Sequence, residues 1–349
     1  MRRRLFIPGT GGCFYADEAG GRHASILDLA LDRQRDFICE HAADPAELAP
    51  RRTSGLNDAQ GNPVALRAAG PIRAVYEPFF DETVGPASTR KAYQFFDYDW
   101  RLDIRYSGEQ LWETLKRSGD AEAWDVVCHS QGGLVLLWAS RLAGPAAFRK
   151  LVRRVVFCGV PIQGTVNAAR ALVAGVDLLP GIQADVATVR TWPSVYMMLP
   201  RWRLGIADTT GAELFKESTW EKADLLAPGA DLRRGISPAL LARAQEWKRL
   251  MDSHDFAPLA AIERFVICQG HTINTWLRAP EFPSFPDLEG PRDDVTLAAG
   301  DGLAPAARSV EFLPRALVRR LSSLAVPVRS HMLMCSSLHQ VLLCNRLFS

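Results

Sequence analysis

The sequence lacks the markers of a metal site, of a phosphate-binding loop and of a membrane-spanning helix. Its seven cysteines include no C-x-x-C pair, which excludes the common zinc-finger spacing. Neither G-x-G-x-x-G nor G-K-[ST] occurs, so the usual fingerprints of nucleotide binding are missing. No stretch approaches the ~20 apolar residues that a spanning helix needs. We therefore expect neither a metal ion nor a cofactor.

The chain also lacks a strong charge of either sign and a recognisable export signal. The formal net charge is +2, which gives no electrostatic case for a nucleic-acid partner. The basic start of the chain is not followed by the roughly 7 to 15 apolar residues of a signal peptide, because Pro8 and Gly9 interrupt it. An odd, unpatterned set of cysteines suits a reducing compartment. The sequence thus predicts a cytoplasmic protein.

What the sequence does contain is an alternation of apolar, strand-like runs with helix-like segments. Several of the runs are β-branched or aromatic throughout, as expected of strands that are covered on both faces. The alternation predicts an α/β fold with a mostly parallel central sheet and helices on both faces. The strand-like runs are "RLFIPG", "IRAVYEPFF", "YQFFDYDWRLDI", "AWDVVCHS", "LVRRVVFCGVP", "ERFVICQG", "DVTLAAGD" and "LAVPVRSH", and the helix-like segments include "GEQLWETLKRSG", "GGLVLLWASRLAG" and "SSLHQVLLCNRLF".

One region interrupts the alternation. Residues 165–258 show no good strand pattern and contain helix-like pieces such as "PALLARAQEWKRLMD". We interpret this region as a mainly helical cap inserted into the fold. Residues 1–164 and 259–349 then form the core.

The segment "AWDVVCHSQGGLV" carries the clearest chemical signal. A strand, a serine on a sharp turn and a buried helix are the layout of a nucleophile elbow, the mark of the α/β-hydrolase fold. Strand and helix nearly touch at such a turn, so the flanking positions Cys128 and Gly132 need small residues. We therefore predict Ser130 as the nucleophile and the amide of Gln131 as an oxyanion donor. His129 is expected to be structural.

A serine nucleophile needs a histidine base and an acid that orients it. In this fold class the chain order is serine, acid, histidine. Asp301 directly follows the strand-like "VTLAAG", where a carboxylate can leave the sheet. His331 follows the last strand-like run and is the predicted base. His339, on the final helix-like segment, is the alternative.

The second oxyanion donor should come from the loop after the first strand, "IPGTGGCF". Its glycines let the backbone approach a substrate closely. We predict Gly11 as the donor, with Thr10 as the alternative.

Several motifs occur together in one order along most of the chain. They are "IPGTGG", "YDWR", "CHSQGGLV", "CGVPIQGT", "WPSVYMMLP", "GHTINT" and "GDGLAP". Together they resemble the lecithin:cholesterol acyltransferase-like family of α/β-hydrolases. The resemblance implies a triad of Ser130, Asp301 and His331 and an oxyanion loop in "PGTGG". Two features depart from the family pattern: Leu303 to Pro305 replace Thr-Val-Pro after the Gly-Asp-Gly turn, and the sequence shows neither the signal peptide nor the disulfides of the secreted members. Cys128 also replaces the glycine that usually lies two residues before the serine of an elbow.

The region 165–258 contains an unusually apolar stretch, "TWPSVYMMLPRWRLGI". Mixed aromatic, aliphatic and basic residues fit transient contact with a membrane surface. Alternatively they pack on the sheet and line an acyl pocket, which flexible methionines would suit. Both uses favour an apolar acyl substrate, and the candidate substrate-binding residues are Trp192, Tyr196, Met197 and Met198.

The combined prediction is a serine hydrolase or acyltransferase that acts on lipid or other carboxylic esters through an acyl-enzyme. Because a shared fold does not fix the substrate, two alternatives stay open. One is a catalytically inactive hydrolase fold that binds a ligand or a partner, and the other is an esterase for a non-lipid substrate.

Overall fold

A parallel sheet forms the centre of the protein, as seen in a computed structural model. The apolar sequence of each central strand explains why these strands are buried on both faces. The strands of this sheet are β1 (Arg3–Ile7), β7 (Gln94–Phe95), β8 (Trp124–His129), β9 (Val152–Cys158), β14 (Arg264–Gly270) and β17 (Ser322–Val326). The residues that the structure describes are 3–18, 20, 23–25, 33–42, 44, 46–80, 93–117, 123–179, 182–206, 209–210, 213–227, 234–254, 256–270, 273–276, 297–300, 305, 313–318, 322–326, 331, 334–335 and 338–348.

The order of the strands, β17-β14-β9-β8-β1-β7, decides where the loops meet. All neighbouring pairs in this sheet are parallel. At the centre, Ile7 of β1 lies opposite Cys128 of β8. Because the two strands run the same way, the loop after β1 and the turn after β8 leave the sheet at the same edge, side by side.

Helices cover the sheet, as the sequence predicted. The helices that the structure describes are α1 (Arg73–Phe80), α2 (Ile104–Arg117), α3 (Gln131–Leu151), α4 (Val166–Ala174), α5 (Val186–Val189), α6 (Pro193–Met197), α7 (Glu217–Lys222), α8 (Pro238–Asp252), α9 (Ala257–Ala261), α10 (Arg315–Val318) and α11 (Leu338–Leu347). Among them, α3 packs against α2 and α9, and α1 packs against α11. The long helix α3 contains a kink at Gly144, whose φ of 69° only glycine adopts readily.

The segment "IRAVYEPFF" was predicted as a strand, and this prediction is wrong. The structure has it as helix α1, Arg73–Phe80. Ile72, Val75, Tyr76 and Phe79 are all buried. Their spacing of three and four places them on one face of a helix, so helical periodicity prevails over the β-propensity of the individual residues.

Short antiparallel strands lie outside the central sheet. Two hairpins fall within 165–258, where the sequence showed no strand pattern. The strand-like "DVTLAAGD" contributes β16 (Leu297–Gly300) to a separate antiparallel pair instead of to the central sheet. The hairpins in 165–258 are β10 (Val176–Leu179) with β11 (Ile182–Ala184) and β12 (Arg203–Ile206) with β13 (Thr209–Thr210); elsewhere lie β2 (Cys13–Asp17), β3 (His23–Ala24), β4 (Glu40–His41), β5 (Pro50–Arg52), β6 (Leu66–Pro71), β15 (Ile273–Trp276) and β16 (Leu297–Gly300).

No helix within the described ranges combines the length and the apolar character that crossing a bilayer requires.

The cysteines that the sequence placed in strands, Cys128, Cys158 and Cys268, are buried and serve as small core residues.

Candidate active site

Ser130 occupies the turn between β8 and α3, in a backbone conformation that few residues adopt. Its φ is 50° and its ψ is −126°. Such a conformation costs on the order of 1–3 kcal/mol and persists only where the surroundings enforce it. Gly132 is one of those enforcing contacts, since a Cβ there would lie 2.5 Å from the carbonyl oxygen of Pro8 and 2.6 Å from that of Ile7. The strained turn therefore depends on a close approach between the elbow and the loop after β1.

His331 is the histidine that the structure brings to Ser130. Its Nε2 lies 2.7 Å from the Ser130 hydroxyl oxygen. Both residues are nearly buried, at 4% exposed for Ser130 and 5% for His331. At this distance a neutral imidazole with a lone pair on Nε2 accepts the hydroxyl proton. The pair thus has the geometry of a nucleophile and its base.

The other two predicted partners are less completely described. Asp301 lies outside the described residues, and the strand before it, β16, ends at Gly300. His339 is part of α11, but its side chain is outside the described portion of the structure.

The loop after β1 forms a tight turn beside Ser130. The Gly12 N–H donates to the Gly9 carbonyl at 3.1 Å, and Gly11 has a φ of 73°. The Gly9 N–H donates to the Tyr76 hydroxyl at 3.1 Å. These two hydrogen bonds use the amides of Gly9 and Gly12. The remaining N–H groups of the turn belong to Thr10 and Gly11, the two residues that the sequence proposed as oxyanion donors.

Gln131 contacts both the β1 loop and the loop that contains the "YDWR" motif. Its Oε1 accepts a hydrogen bond from the Thr10 hydroxyl at 2.7 Å. Its Nε2 donates to the Trp100 carbonyl at 2.8 Å. The backbone N–H of Gln131 is in the first turn of α3, where N–H groups have no partner within the helix and carry the positive end of the helix dipole. The Gln131 side chain therefore holds the two loops in place around this backbone N–H.

The "YDWR" motif braces the site from below. Arg101 and Asp99 form a buried ion pair, with 2.6 Å between Arg101 Nη2 and Asp99 Oδ2. The Tyr15 hydroxyl also donates to Asp99, at 3.1 Å, and the Arg101 guanidinium stacks 4.3 Å from the Tyr15 ring centre. The Tyr98 hydroxyl donates to the Pro8 carbonyl at 2.8 Å. These contacts support the loop after β1 and do not reach Ser130.

The candidate substrate-binding residues of the apolar stretch are all buried. Trp192 packs edge-on against Trp100, with ring centres 4.9 Å apart, and its indole N–H donates to the Phe37 carbonyl. The Tyr196 hydroxyl donates to the Arg190 carbonyl, and the Met197 sulfur accepts the Ile104 N–H. Met198 is buried as well. Contact with a membrane surface requires exposed side chains, so this conformation matches the packing alternative.

Sequence reasoning missed the roles of two tyrosines. Tyr76 and Tyr98 bond to the loop after β1 at Gly9 and Pro8, yet they lie far from that loop in the sequence. Tyr98 belongs to a motif that the sequence singled out, whereas Tyr76 lies in a segment that was predicted as a strand. No local pattern in the sequence indicated that either hydroxyl faces the site.

Within the described portion of the chain, no group of three or more His, Cys, Asp or Glu side chains is arranged to bind a metal ion. The chemistry that this site can perform from the described residues is therefore that of a serine hydroxyl next to an imidazole, with backbone amides nearby.

Comparisons with known proteins give structural neighbours and no sequence relatives. No family model matches the chain, and no curated protein matches it. The acyltransferase-like resemblance seen in the motifs therefore stays a prediction.

Among solved structures, a chain of the Tle4–Tli4 complex matches with a TM-score of 0.54 and 13% identity, over 100% of this chain and 99% of that one. The mature lipase BlEst2 of Bacillus licheniformis matches with a TM-score of 0.40 and 13% identity, over 96% and 86%. The peroxisomal α/β-hydrolase Lpx1 of Saccharomyces cerevisiae matches with a TM-score of 0.34 and 11% identity, over 99% and 76%. Identities this low bear on fold alone, and of these three matches the one to the Tle4–Tli4 chain has a TM-score above 0.5. Together with the parallel sheet and the elbow at Ser130, that match shows that this chain has the α/β-hydrolase fold.

Proposed function

We propose that this protein is a serine hydrolase that acts on carboxylic esters through an acyl-enzyme. The observation that carries the proposal is the 2.7 Å contact between the Ser130 hydroxyl and His331 Nε2, made at a strained elbow. A buried serine in an ordinary turn needs neither the strain nor the histidine. An inactive fold also gains nothing from keeping this strained serine beside an imidazole.

In the first half of the reaction the Ser130 oxygen bonds to the ester carbonyl carbon while its proton passes to His331 Nε2. The carbonyl electron pair moves onto the oxygen, which becomes an oxyanion. When the tetrahedral intermediate collapses, the bond to the alkoxide breaks and the leaving group takes the proton from His331. Asp301, placed by the sequence between Ser130 and His331, is the proposed acid that orients the imidazole.

The oxyanion would be stabilised by backbone amides from two adjacent elements. One is the Gln131 N–H at the start of α3. The other comes from the turn after β1, where Gly11 is our first choice and Thr10 the second. Each such donor contributes about 3 kcal/mol to the transition state when it is preorganised. The side-chain contacts from Gln131 to Thr10 and Trp100 supply that preorganisation.

Residues 165–258 are the proposed cap over this site. Trp192 of this region packs on Trp100, whose carbonyl bonds Gln131 next to the nucleophile. The cap is thus connected to the elbow by two contacts. Its apolar and aromatic composition favours a substrate with an apolar acyl group, and a lipid ester is the proposed class.

In the second half of the reaction the acyl-enzyme transfers its acyl group to water or to another alcohol. The acceptor oxygen bonds to the acyl carbon while His331 takes its proton. The bond between the acyl carbon and Ser130 then breaks, and the Ser130 oxygen takes the proton back from His331. The near-complete burial of Ser130 and His331 limits the access of water in this conformation. Product analysis with and without an added long-chain alcohol distinguishes hydrolysis from acyl transfer.

The proposal is tested by the rates of ester cleavage across an acyl series, from p-nitrophenyl acetate to p-nitrophenyl dodecanoate. We expect kcat/KM to rise with chain length. Ser130→Ala and His331→Ala should each lower kcat by on the order of 10⁴–10⁶. His339→Ala is the matched control and should retain most of the activity. Full activity of Ser130→Ala would refute the mechanism, and a flat chain-length profile would refute the lipid substrate class.

A further inference from the structure

His129, the residue before the nucleophile, makes two directed hydrogen bonds although it lies fully buried. Its Nδ1 is 2.9 Å from the Tyr76 hydroxyl, and its Nε2 is 3.0 Å from the backbone carbonyl of His331. The imidazole rings of His129 and His331 lie 5.2 Å apart, centre to centre. His129 therefore contacts the backbone of the proposed base.

The nature of each partner fixes the tautomer of His129. A carbonyl oxygen only accepts, so Nε2 must carry the proton that goes to the His331 carbonyl. A neutral ring then has its lone pair on Nδ1, and the Tyr76 hydroxyl donates to it. Burial raises the pKa of Tyr76 well above its ordinary value, so this hydroxyl keeps its proton. In its neutral form the ring is thus a connector with one donor and one acceptor.

Tyr76 extends this connection to the oxyanion loop. Its oxygen accepts the Gly9 N–H at 3.1 Å while its proton goes to His129. Four groups therefore form one directional series of hydrogen bonds, in the order Gly9, Tyr76, His129 and His331. We refer to it as the Gly9–His331 chain. Successive bonds of this kind polarise one another and rigidify a buried site.

We propose that His129 is a positioning residue: through Tyr76, it fixes the position of the proposed base His331 relative to the oxyanion loop. The inference rests on the proposed function, because it concerns the geometry of that reaction. Gly9 also lies against the nucleophile: a Cβ on Gly9 would be 2.7 Å from the Ser130 Cβ and 3.2 Å from His129 Nδ1. The Gly9–His331 chain thus links the loop that binds the oxyanion to the backbone of the residue that moves the proton.

Two substitutions of His129 break the chain at different points. The amide of His129→Asn lies where Nδ1 was, so it keeps an acceptor for Tyr76 but no longer reaches the His331 carbonyl. The amide of His129→Gln lies where Nε2 was, so it keeps the bond to His331 and loses the acceptor for Tyr76. Tyr76→Phe removes the shared hydroxyl and leaves the ring packed on Phe6, at 4.9 Å.

The control is Tyr93→Phe, at the opposite end of the sheet. The Tyr93 hydroxyl is also buried and donates to Asn345 Oδ1 at 3.2 Å. Asn345 in turn bonds Arg4, which lies near the start of β1 and far from the serine turn. Tyr93→Phe therefore removes a comparable buried hydroxyl without touching the Gly9–His331 chain.

The experiment measures the rate at which a fluorophosphonate probe labels Ser130, and kcat and KM for p-nitrophenyl butyrate, on variants shown to be folded by circular dichroism. His129→Asn and Tyr76→Phe should each lower the labelling rate and kcat on the order of 10- to 100-fold, since small misplacements of reacting groups cost this much. KM should stay within about threefold, and Tyr93→Phe should match the wild type. The double variant His129→Asn, Tyr76→Phe should lose little more labelling rate and kcat than either single variant, because both substitutions interrupt the same Gly9–His331 chain.

The outcomes separate this inference from the proposed function. Wild-type activity with unchanged rates in His129→Asn, His129→Gln and Tyr76→Phe would overturn the positioning role and leave the hydrolase intact. A wild type that neither labels nor cleaves esters would overturn both. Nitrogen NMR shifts of the ring give a readout besides activity: we expect a neutral Nε2–H tautomer for His129, and an Nδ1–H or doubly protonated ring would contradict the chain.

Discussion

At the scale of single residues, the candidate site depends on Ser130, whose backbone conformation is strained, and on glycines with no space for a side chain. Ser130 adopts a left-handed φ, and the glycines on either side of it in space admit no side chain. Gly9 and Gly132 bring two backbone segments into contact, and the proposed oxyanion amides lie on these segments. The position of Ser130, the proposed nucleophile, therefore depends on the small size of Gly9 and Gly132 as well as on the serine itself.

The residues of the site differ in how well sequence alone could find them. Ser130 and Gln131 were predicted because the elbow is a local pattern of strand, serine and helix. His331 was predicted only from chain order and from its place after a strand-like run, so His339 stayed open. Tyr76 was not predicted at all, because its partner His129 is 53 positions away in sequence. A contact of that kind follows from packing and leaves no local signature.

His41, a half-buried histidine whose two ring nitrogens are shielded from solvent, gives a prediction about pH and stability. Burial, followed by the positive charges of Arg243 and Arg101, lowers the pKa of His41 from 6.5 to about 3. Below pH 6.5 His41 is protonated in the unfolded chain but stays neutral in the folded protein. The free energy of unfolding therefore falls as the pH falls from 6.5 toward 3. Between pH 7.5 and pH 5.0 this single group should cost about 2 kcal/mol of unfolding free energy.

Urea unfolding at these two pH values measures the effect. Other groups also titrate in this range, so the comparison is between the wild type and His41→Phe, which keeps a ring of similar size. The variant should lose about 2 kcal/mol less than the wild type on acidification. Equal losses in both proteins would show that His41 does not resist protonation.

At the scale of elements, the junction of β8 with α3 is the critical unit. Gly132 packs against the backbone of the β1 loop, and Gly133 packs against Val160 in the loop after β9. A Cβ on Gly133 would be 2.3 Å and 2.5 Å from the two methyl carbons of Val160. The start of α3 is therefore enclosed by loops from the two strands that flank β8, which explains why its first turn contains two glycines.

This enclosure predicts different behaviour for two adjacent glycines. Gly133→Ala should destabilise the protein by about 1–3 kcal/mol, because its methyl overlaps a side chain. Adding Val160→Ala should recover at least about 1 kcal/mol of that loss, since space is freed for the new methyl.

Gly132→Ala is the matched control, because its overlap is with backbone carbonyls that no side-chain truncation removes. Combined with Val160→Ala it should show additive losses in chemical denaturation. Two results would contradict the described packing. One is that Val160→Ala restores stability to Gly132→Ala, and the other is that it restores none to Gly133→Ala.

Sequence periodicity predicted most of the central elements and failed at two kinds of place. It identified β1, β8, β9 and β14, whose continuous apolar runs are typical of buried strands. It misassigned α1, because aromatic and β-branched residues mask a helical spacing over only eight positions. It also missed the short hairpins in 165–258, whose two to four residues per strand carry too little pattern.

At the scale of the whole molecule, buried charge joins the proposed cap to the core. Arg243 of α8 lies 3.7 Å from Asp103, which also forms a tight pair with Arg105. Arg243 donates further to the carbonyls of Ala42 and Asp44, at 2.9 Å each. All three charged side chains are essentially buried. The residues that recognise an apolar substrate in our proposal thus belong to a region that is attached to the core through polar contacts.

We predict that Arg243→Met lowers the unfolding free energy by about 3 kcal/mol, since it leaves buried acceptors without their charged donor. The control is Arg249→Met on the same helix, where the side chain is 66% exposed and pairs with Glu246. This exposed pair should contribute little to the free energy of unfolding, because solvent screens the two charges. Equal effects at the two positions, measured by urea unfolding, would argue against a buried attachment of α8.

The most direct test of the central claim is covalent labelling of the folded protein with a fluorophosphonate probe, followed by mass-spectrometric mapping of the modified peptide. The account predicts a label on Ser130 that is lost in His331→Ala and kept in His339→Ala, because the hydroxyl reacts only when His331 Nε2 accepts its proton. A folded protein that takes no label at Ser130, or that takes it equally well without His331, would contradict the claim that these two residues form a nucleophile and its base.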